Sequence, residues 1–177
     1  EIVVPSAFEY LFIAPSNSEL VGADLELISQ FSRETRLKKA IEEVSSQYDF
    51  IIIDCPPSLN LLTVNAMTAA QGILVPVQCE YYALEGLSQL LNTAGLVKKG
   101  INPLLHIEGI VLTMFDKRNN LSHQVVTEIK THFGDKVFNA IIPRNVRLSE
   151  APSHGQSIFE YDGKSVGAIK YLELAHE

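Results

Sequence analysis

Cysteine, long apolar runs and positive charge are all scarce in this 177-residue chain, and each scarcity excludes a class of protein. There are only two cysteines, Cys55 and Cys79, and they form no disulfide or metal-binding spacing. A reducing, cytoplasmic setting is the simple reading. No apolar run approaches the roughly 18–20 residues that cross a bilayer. No basic-then-apolar leader opens the sequence, so neither export nor membrane attachment is expected. Basic residues number 14 against 21 acidic, for a net charge of −7. They are also unevenly placed: residues 1–97 hold 4 basic and 12 acidic side chains, and residues 98–177 hold 10 and 9. A strongly basic nucleic-acid module is excluded, whereas a local basic patch in the second half is not.

The composition is otherwise that of a globular protein, 46% hydrophobic and 20% charged. The length suits a single domain over residues 1–177. The first residue is Glu1 rather than Met, which reads as a processed product or a fragment.

Apolar runs alternate with amphipathic stretches. Tyr10–Ala14, Asp49–Asp54, Gly72–Val77, Ile107–Thr113 and Val137–Ile142 read as strands. Most are continuously apolar, as expected of a parallel sheet covered on both faces. Residues 34–46 place Leu37, Ala40, Ile41 and Val44 at helical spacing, and residues 83–99 do the same with Leu84, Leu87, Leu90 and Leu91. Residues 60–70, 122–133 and 165–176 complete the predicted helices. This alternation predicts an α/β fold with a mostly parallel, doubly wound sheet.

Ligands of such sheets bind beyond the carboxyl ends of the strands. The residues there are Pro15-Ser16, Asp54 to Pro57, Gln78-Cys79-Glu80, Met114-Phe115-Asp116 and Pro143-Arg144-Asn145. Asp54 closes the strongest apolar run, Ile51-Ile52-Ile53. A carboxylate there can hold a Mg²⁺-bound water beside a nucleotide phosphate, or can simply cap the turn that follows. Pro56-Pro57 stiffens the chain after it, and Ser58–Thr63 has the makings of a segment that senses a phosphate. Gly163-Lys164-Ser165 spells the end of a phosphate loop, but Ile158 stands where its first glycine should be, so it reads as a turn opening the last helix. Cys55 precedes a helix, yet no histidine sits at another strand end to activate it, so both cysteines read as small core residues.

Four long segments carry a resemblance: YDFIIIDCPPSLNLLTVNAMTAA, PVQCEYYALEGLSQLL, GIVLTMFDKRNNLS and IPRNVRLSEAPSHG. Together they closely resemble the ParA/Soj group of chromosome and plasmid partition ATPases, deviant-Walker P-loop ATPases related to MinD. The resemblance runs from about Leu11 to the last residue. It implies a P-loop NTPase fold, Mg²⁺ and ATP as cofactors, and Asp54 as the Walker B acid holding the Mg²⁺ water shell. It implies that Met114, Pro143 and Asn145 lie on the adenine side. The remaining possibility for these residues is a core Met and a turn Asn. It further implies an ATP-bound homodimer that binds DNA without sequence preference, a ParB-type partner that stimulates hydrolysis, and a nucleoid-associated location. Arg144, Arg147 and Lys164 are the candidates for DNA contact, against the alternative of an ordinary solvated face. Glu80, Tyr81 and Tyr82 fall near the family's dimer interface.

The family's two-lysine P-loop and its switch I aspartate do not occur in these 177 residues. The domain is therefore expected to be N-terminally incomplete and inactive alone. A second reading is a truncated, non-catalytic interaction module that competes with an intact ATPase. A phosphoacceptor receiver domain fits less well, because Ala14-Pro15-Ser16 stands where its acidic pair belongs. The ending YLELAHE lacks the basic amphipathic extension of membrane-positioning relatives.

Overall fold

The computed structural model describes residues 2–177. They form two compact units that divide between Ala69 and Ala70.

The first unit opens with a minimal antiparallel pair, β1 (Val4–Pro5) and β2 (Phe12–Ile13). Short helical turns follow, then α1 (Ala23–Glu26), α2 (Arg36–Glu42) and α3 (Leu61–Ala69). Its fully buried residues all lie in α3, and three of the five are polar: Thr63, Asn65 and Thr68. Asn65 is satisfied in place: its amide donates to the Arg33 and Leu61 carbonyls at 2.9 and 3.0 Å and accepts from Leu37 N at 3.2 Å. Asn60 accepts from Thr63 N at 3.1 Å, capping α3, and the Thr63 hydroxyl reaches back to the Ser58 carbonyl.

Two sequence expectations fail here. The run Tyr10–Ala14 shrinks to the two residues of β2. The run Asp49–Asp54 forms no strand at all, and Phe50 and Ile52 stand 88% and 92% exposed. A buried parallel strand is made by the neighbours on either edge. Among the described residues no strand pairs with this segment, so its β-branched run joins no ladder.

The second unit matches the sequence reading closely. Its sheet has the order β3-β4-β5, all parallel: β3 (Gly72–Gln78), β4 (His106–Phe115) and β5 (Val137–Pro143). The crossovers are α4 (Ala83–Gly100) and α5 (Asn120–Phe133). Beyond β5 come α6 (Val146–Glu150), α7 (Ile158–Asp162) and α8 (Val166–His176). One apolar core joins Val75, Val77 and Cys79 of β3 and its end to Leu87 of α4, Ile110 and Leu112 of β4, and Val125 and Ile129 of α5. Leu84, Leu90 and Leu91, predicted to share the buried stripe of α4, are half-buried against it.

Helix ends are fixed by local chemistry. The Asn119 side chain accepts from Leu121 N at 3.0 Å and starts α5, and Gly134, at φ 49°, ends it. Ser157 and Glu160 form a reciprocal capping box on α7. Gly109 of β4 is required by its neighbour: a Cβ there would lie 2.3 Å from the Phe138 ring.

Candidate functional site

The carboxyl ends of β3, β4 and β5 open onto a crevice of about 360 Å³. Cys79 and Glu80 line it from the end of β3, Met114 and Asp116 from β4, and Arg144 from just beyond β5. The start of α5 adds Asn119 and Ser122, and the preceding turn adds Arg118. Backbone bonds hold these ends together. Cys79 N donates to the Thr113 carbonyl at 2.9 Å, and Arg144 N donates to the Phe115 carbonyl at 2.9 Å. The buried Ser122 hydroxyl donates to the Cys79 carbonyl at 3.2 Å.

Met114 is in the left-handed region at φ 55°. A non-glycine residue there costs about 1–3 kcal/mol and is found where the fold over-determines it. Met114 is half-buried and lines the crevice. The charges come in matched pairs. The Arg118 guanidinium bonds both oxygens of Asp116 at 3.1 and 2.9 Å, and Arg118 N adds a third bond at 3.0 Å. These bonds, the guanidinium first, hold the Asp116 carboxyl at about 2, below its usual range. Arg144 reaches across to Glu80 at 3.1 Å, tying the ends of β5 and β3.

Of the residues proposed from sequence for the adenine side, Met114 lies in the crevice. Pro143 closes β5 opposite Phe115. Asn145 caps α6, accepting from Arg147 N at 2.9 Å, which leaves its amide nitrogen as the group available to read a base. Of the three proposed DNA contacts, Arg144 lines the crevice and is paired with Glu80. Arg147 is held elsewhere, by Glu150 at 2.9 Å and Asp162 at 3.4 Å, with its guanidinium 6.0 Å from the Tyr161 ring centre. Lys164 is exposed and has no ion pair among the described residues. Its neighbour Ser165 caps α8 by accepting from Ala168 N at 3.2 Å, so Gly163-Lys164-Ser165 is a helix-opening turn.

Asp54 belongs to the first unit, exposed at the end of the unpaired apolar run. It supplies one hard carboxylate oxygen, the donor type Mg²⁺ takes alongside water and phosphate oxygens. No cluster of three or more His, Cys, Asp or Glu side chains converges on a metal position among the described residues. A Mg²⁺ held by one carboxylate and the nucleotide's phosphates does not call for one. Partial loss of hydration and the Asp54 charge push the surface-exposed Cys55 thiol up, and burial raises Cys79 to about 11. Cys79 is the small core residue that the sequence reading expected, whereas Cys55 is exposed, because the strand meant to bury its surroundings does not form. Arg118 and Asn119 were missed as crevice residues. The signal was available: Asn119 is an N-cap, and Asp116 stands two residues before Arg118 at a strand end.

A family model described as an AAA domain matches residues 1–107. The chain is 58% identical over all 177 residues to the sporulation initiation inhibitor protein Soj of Bacillus subtilis, covering 70% of that protein. It is 55% identical over its full length to the chromosome partitioning protein ParA of Myxococcus xanthus, covering 62% of it. Among solved structures, cobyrinic acid a,c-diamide synthase from Mycobacterium smegmatis, with bound ADP and magnesium, aligns over 99% of this chain and 64% of its own. Its TM-score is 0.81 at 34% identity. The cell division ATPase MinD of Pyrococcus furiosus shares the fold at a TM-score of 0.73 and 23% identity, over 99% of this chain and 68% of its own. The chain thus spans about two thirds of the length of the relatives it matches. No helix among the described residues is long and apolar enough to cross a membrane.

Proposed function

The chain belongs to the ParA/Soj family of partition ATPases, and we propose that it is the part of such an enzyme that carries the Mg²⁺-facing acid and the base-binding crevice. The observation that carries this reading is the similarity to Soj over every residue of the chain. The crevice at the strand ends supports it, because that is where a doubly wound sheet takes a nucleotide. Asp54 would hold the water shell of Mg²⁺, whose charge offsets that of the ATP phosphates. Met114 would pack its soft thioether on the adenine ring, and Pro143 and Asn145 would close over and bond its edge.

In this reading residues 1–177 form one nucleotide-hydrolase domain with the portion that completes the family's length, and the P-loop lies in that portion. ATP would join two copies into a homodimer on nonspecific DNA, with hydrolysis stimulated by a ParB-type partner and the protein gathered on the nucleoid. Among the candidate DNA contacts Lys164 is the readiest. A phosphate can meet it without breaking an internal ion pair, whereas Arg144 and Arg147 must first leave carboxylates.

The test is ATP turnover by the whole reading frame that contains these residues, with and without DNA. Asp54→Ala should lower Mg²⁺-dependent turnover by about 100-fold or more, the scale of losing a group that positions charge at the phosphates. The 177-residue chain alone should stay at background. An Asp54→Ala enzyme at full rate would remove the Walker B assignment. Turnover by the 177-residue chain itself would overturn its catalytic dependence on the rest. A chain that binds an intact family ATPase but no nucleotide would mark it as an interaction module.

A further inference from the structure

The strand β5 is irregular at its centre. Ile110 of β4 faces Val137 and Leu112 faces Ile141, so a single residue of β4 spans three of β5. Extra residues of this kind bulge out of the ladder. In a regular strand successive N–H groups point to opposite edges, but in this bulge two of them converge. Asn139 N lies 2.7 Å from one carboxylate oxygen of Glu177, and Ala140 N lies 2.8 Å from the other.

We infer that the β5 bulge is a carboxylate-binding nest of two backbone amides, and that Glu177 is its intramolecular ligand, tying the end of α8 to the edge of the sheet. Convergent amides form a concavity of positive potential that anions fill. The ligand class follows from the geometry. Two donors side by side, each engaging a different oxygen at a charge-assisted distance, match a planar bidentate carboxylate. The occupant also satisfies a real need. With Glu177 in place Ala140 is 2% exposed, so the carboxylate is the partner its N–H meets instead of water. The bulge itself is anchored from below, where the Phe138 ring fills the space above Gly109. Among the described residues β5 is an edge strand of its sheet. The carboxylate therefore also covers two donors that an incoming strand would use.

Amide hydrogen exchange of the 177-residue chain, read residue by residue by NMR, tests the site. In Glu177→Ala the Asn139 and Ala140 amides should exchange at least about tenfold faster, a loss of protection well above experimental scatter. Sodium acetate should then slow both saturably, while sodium chloride at the same ionic strength should not. Glu177→Gln keeps one acceptor oxygen and should protect only one of the two amides well. Unchanged exchange in Glu177→Ala overturns the inference, as does acetate acting no better than chloride. If the whole sheet loosens in Glu177→Ala, acetate still decides. Renewed protection centred on residues 139 and 140 supports the nest, and its absence refutes it.

Discussion

Replacing Gly109 with Ala tests the packing that shapes β5, because two physical effects predict opposite signs. Glycine in a strand interior is ordinarily a weakness, and Ala should gain about 0.5–1 kcal/mol by reducing the freedom of the unfolded chain. Against this, the new methyl would lie 2.3, 2.8 and 2.9 Å from three atoms of the Phe138 ring. Ordinary contact begins near 3.4 Å, so the ring or the strand must move by about an ångström. Overpacking of this size costs about 1–3 kcal/mol. The net expectation for Gly109→Ala is a loss of about 1–2 kcal/mol, read as a lower urea midpoint in far-ultraviolet circular dichroism. Phe138→Ala removes the obstacle, so in that background Gly109→Ala should become neutral or stabilising. The interaction between the two changes should then be about 1–3 kcal/mol, the overpacking cost itself. A Gly109→Ala protein more stable than the parent would refute the reasoning. Losses that simply add in the double variant would refute it equally.

The Asp116 carboxyl titrates at about 2 because Arg118 bonds it through side chain and backbone. Its folded value lies below the unfolded one, so the pair supports the fold above about pH 4 and that support is lost as pH falls through about 2. Arg118→Ala should raise the Asp116 value toward 3.8, followed by carboxyl carbon NMR, with the Arg118 backbone bond keeping part of the shift. A value still near 2 would assign the effect to something other than the guanidinium. In the first unit, Asn65→Ala strands the Leu37 N–H and the Arg33 carbonyl inside the packing of α3. It should cost about 2–3 kcal/mol in urea unfolding, and a loss below about 0.5 kcal/mol would show that water reaches those groups.

The second unit was legible because its signals are local and redundant. The apolar runs at Gly72, Ile107 and Val137 each lie between amphipathic stretches of helical period, and each strand found its neighbours within this chain. The rule that ligands gather at strand ends then picked out Cys79, Glu80, Met114, Asp116 and Arg144 before any distance was known. The run Phe50–Ile53 has a stronger strand signal than any of these, yet forms none. β-propensity describes fitness for a pleated, buried surface, and such a surface exists only where other strands supply it. The bulge in β5 was illegible for a different reason. VFNAII contains no glycine or proline to mark a break, and the partner of its amides, Glu177, is 37 residues away from Ala140.

Charge shows the same limit more sharply. The sequence establishes how many cations the second half carries, but their availability is settled by geometry. Arg144 and Arg147 have the residue type that best grips a phosphate, yet each is already spent on carboxylates of its own chain. For either to meet DNA, a solvent-screened surface pair must open, and the phosphate must then replace what the carboxylate gave. Lys164, the weaker ligand by type, has no such exchange to make. On the proposed DNA-binding reading, Lys164→Ala should therefore reduce DNA affinity and lower the salt dependence by about one counterion. Glu80→Gln, by freeing Arg144, should raise affinity if Arg144 is a contact at all. Filter binding across a salt series reads both, and equal affinities for Glu80→Gln and the parent would leave Arg144 as a crevice residue alone.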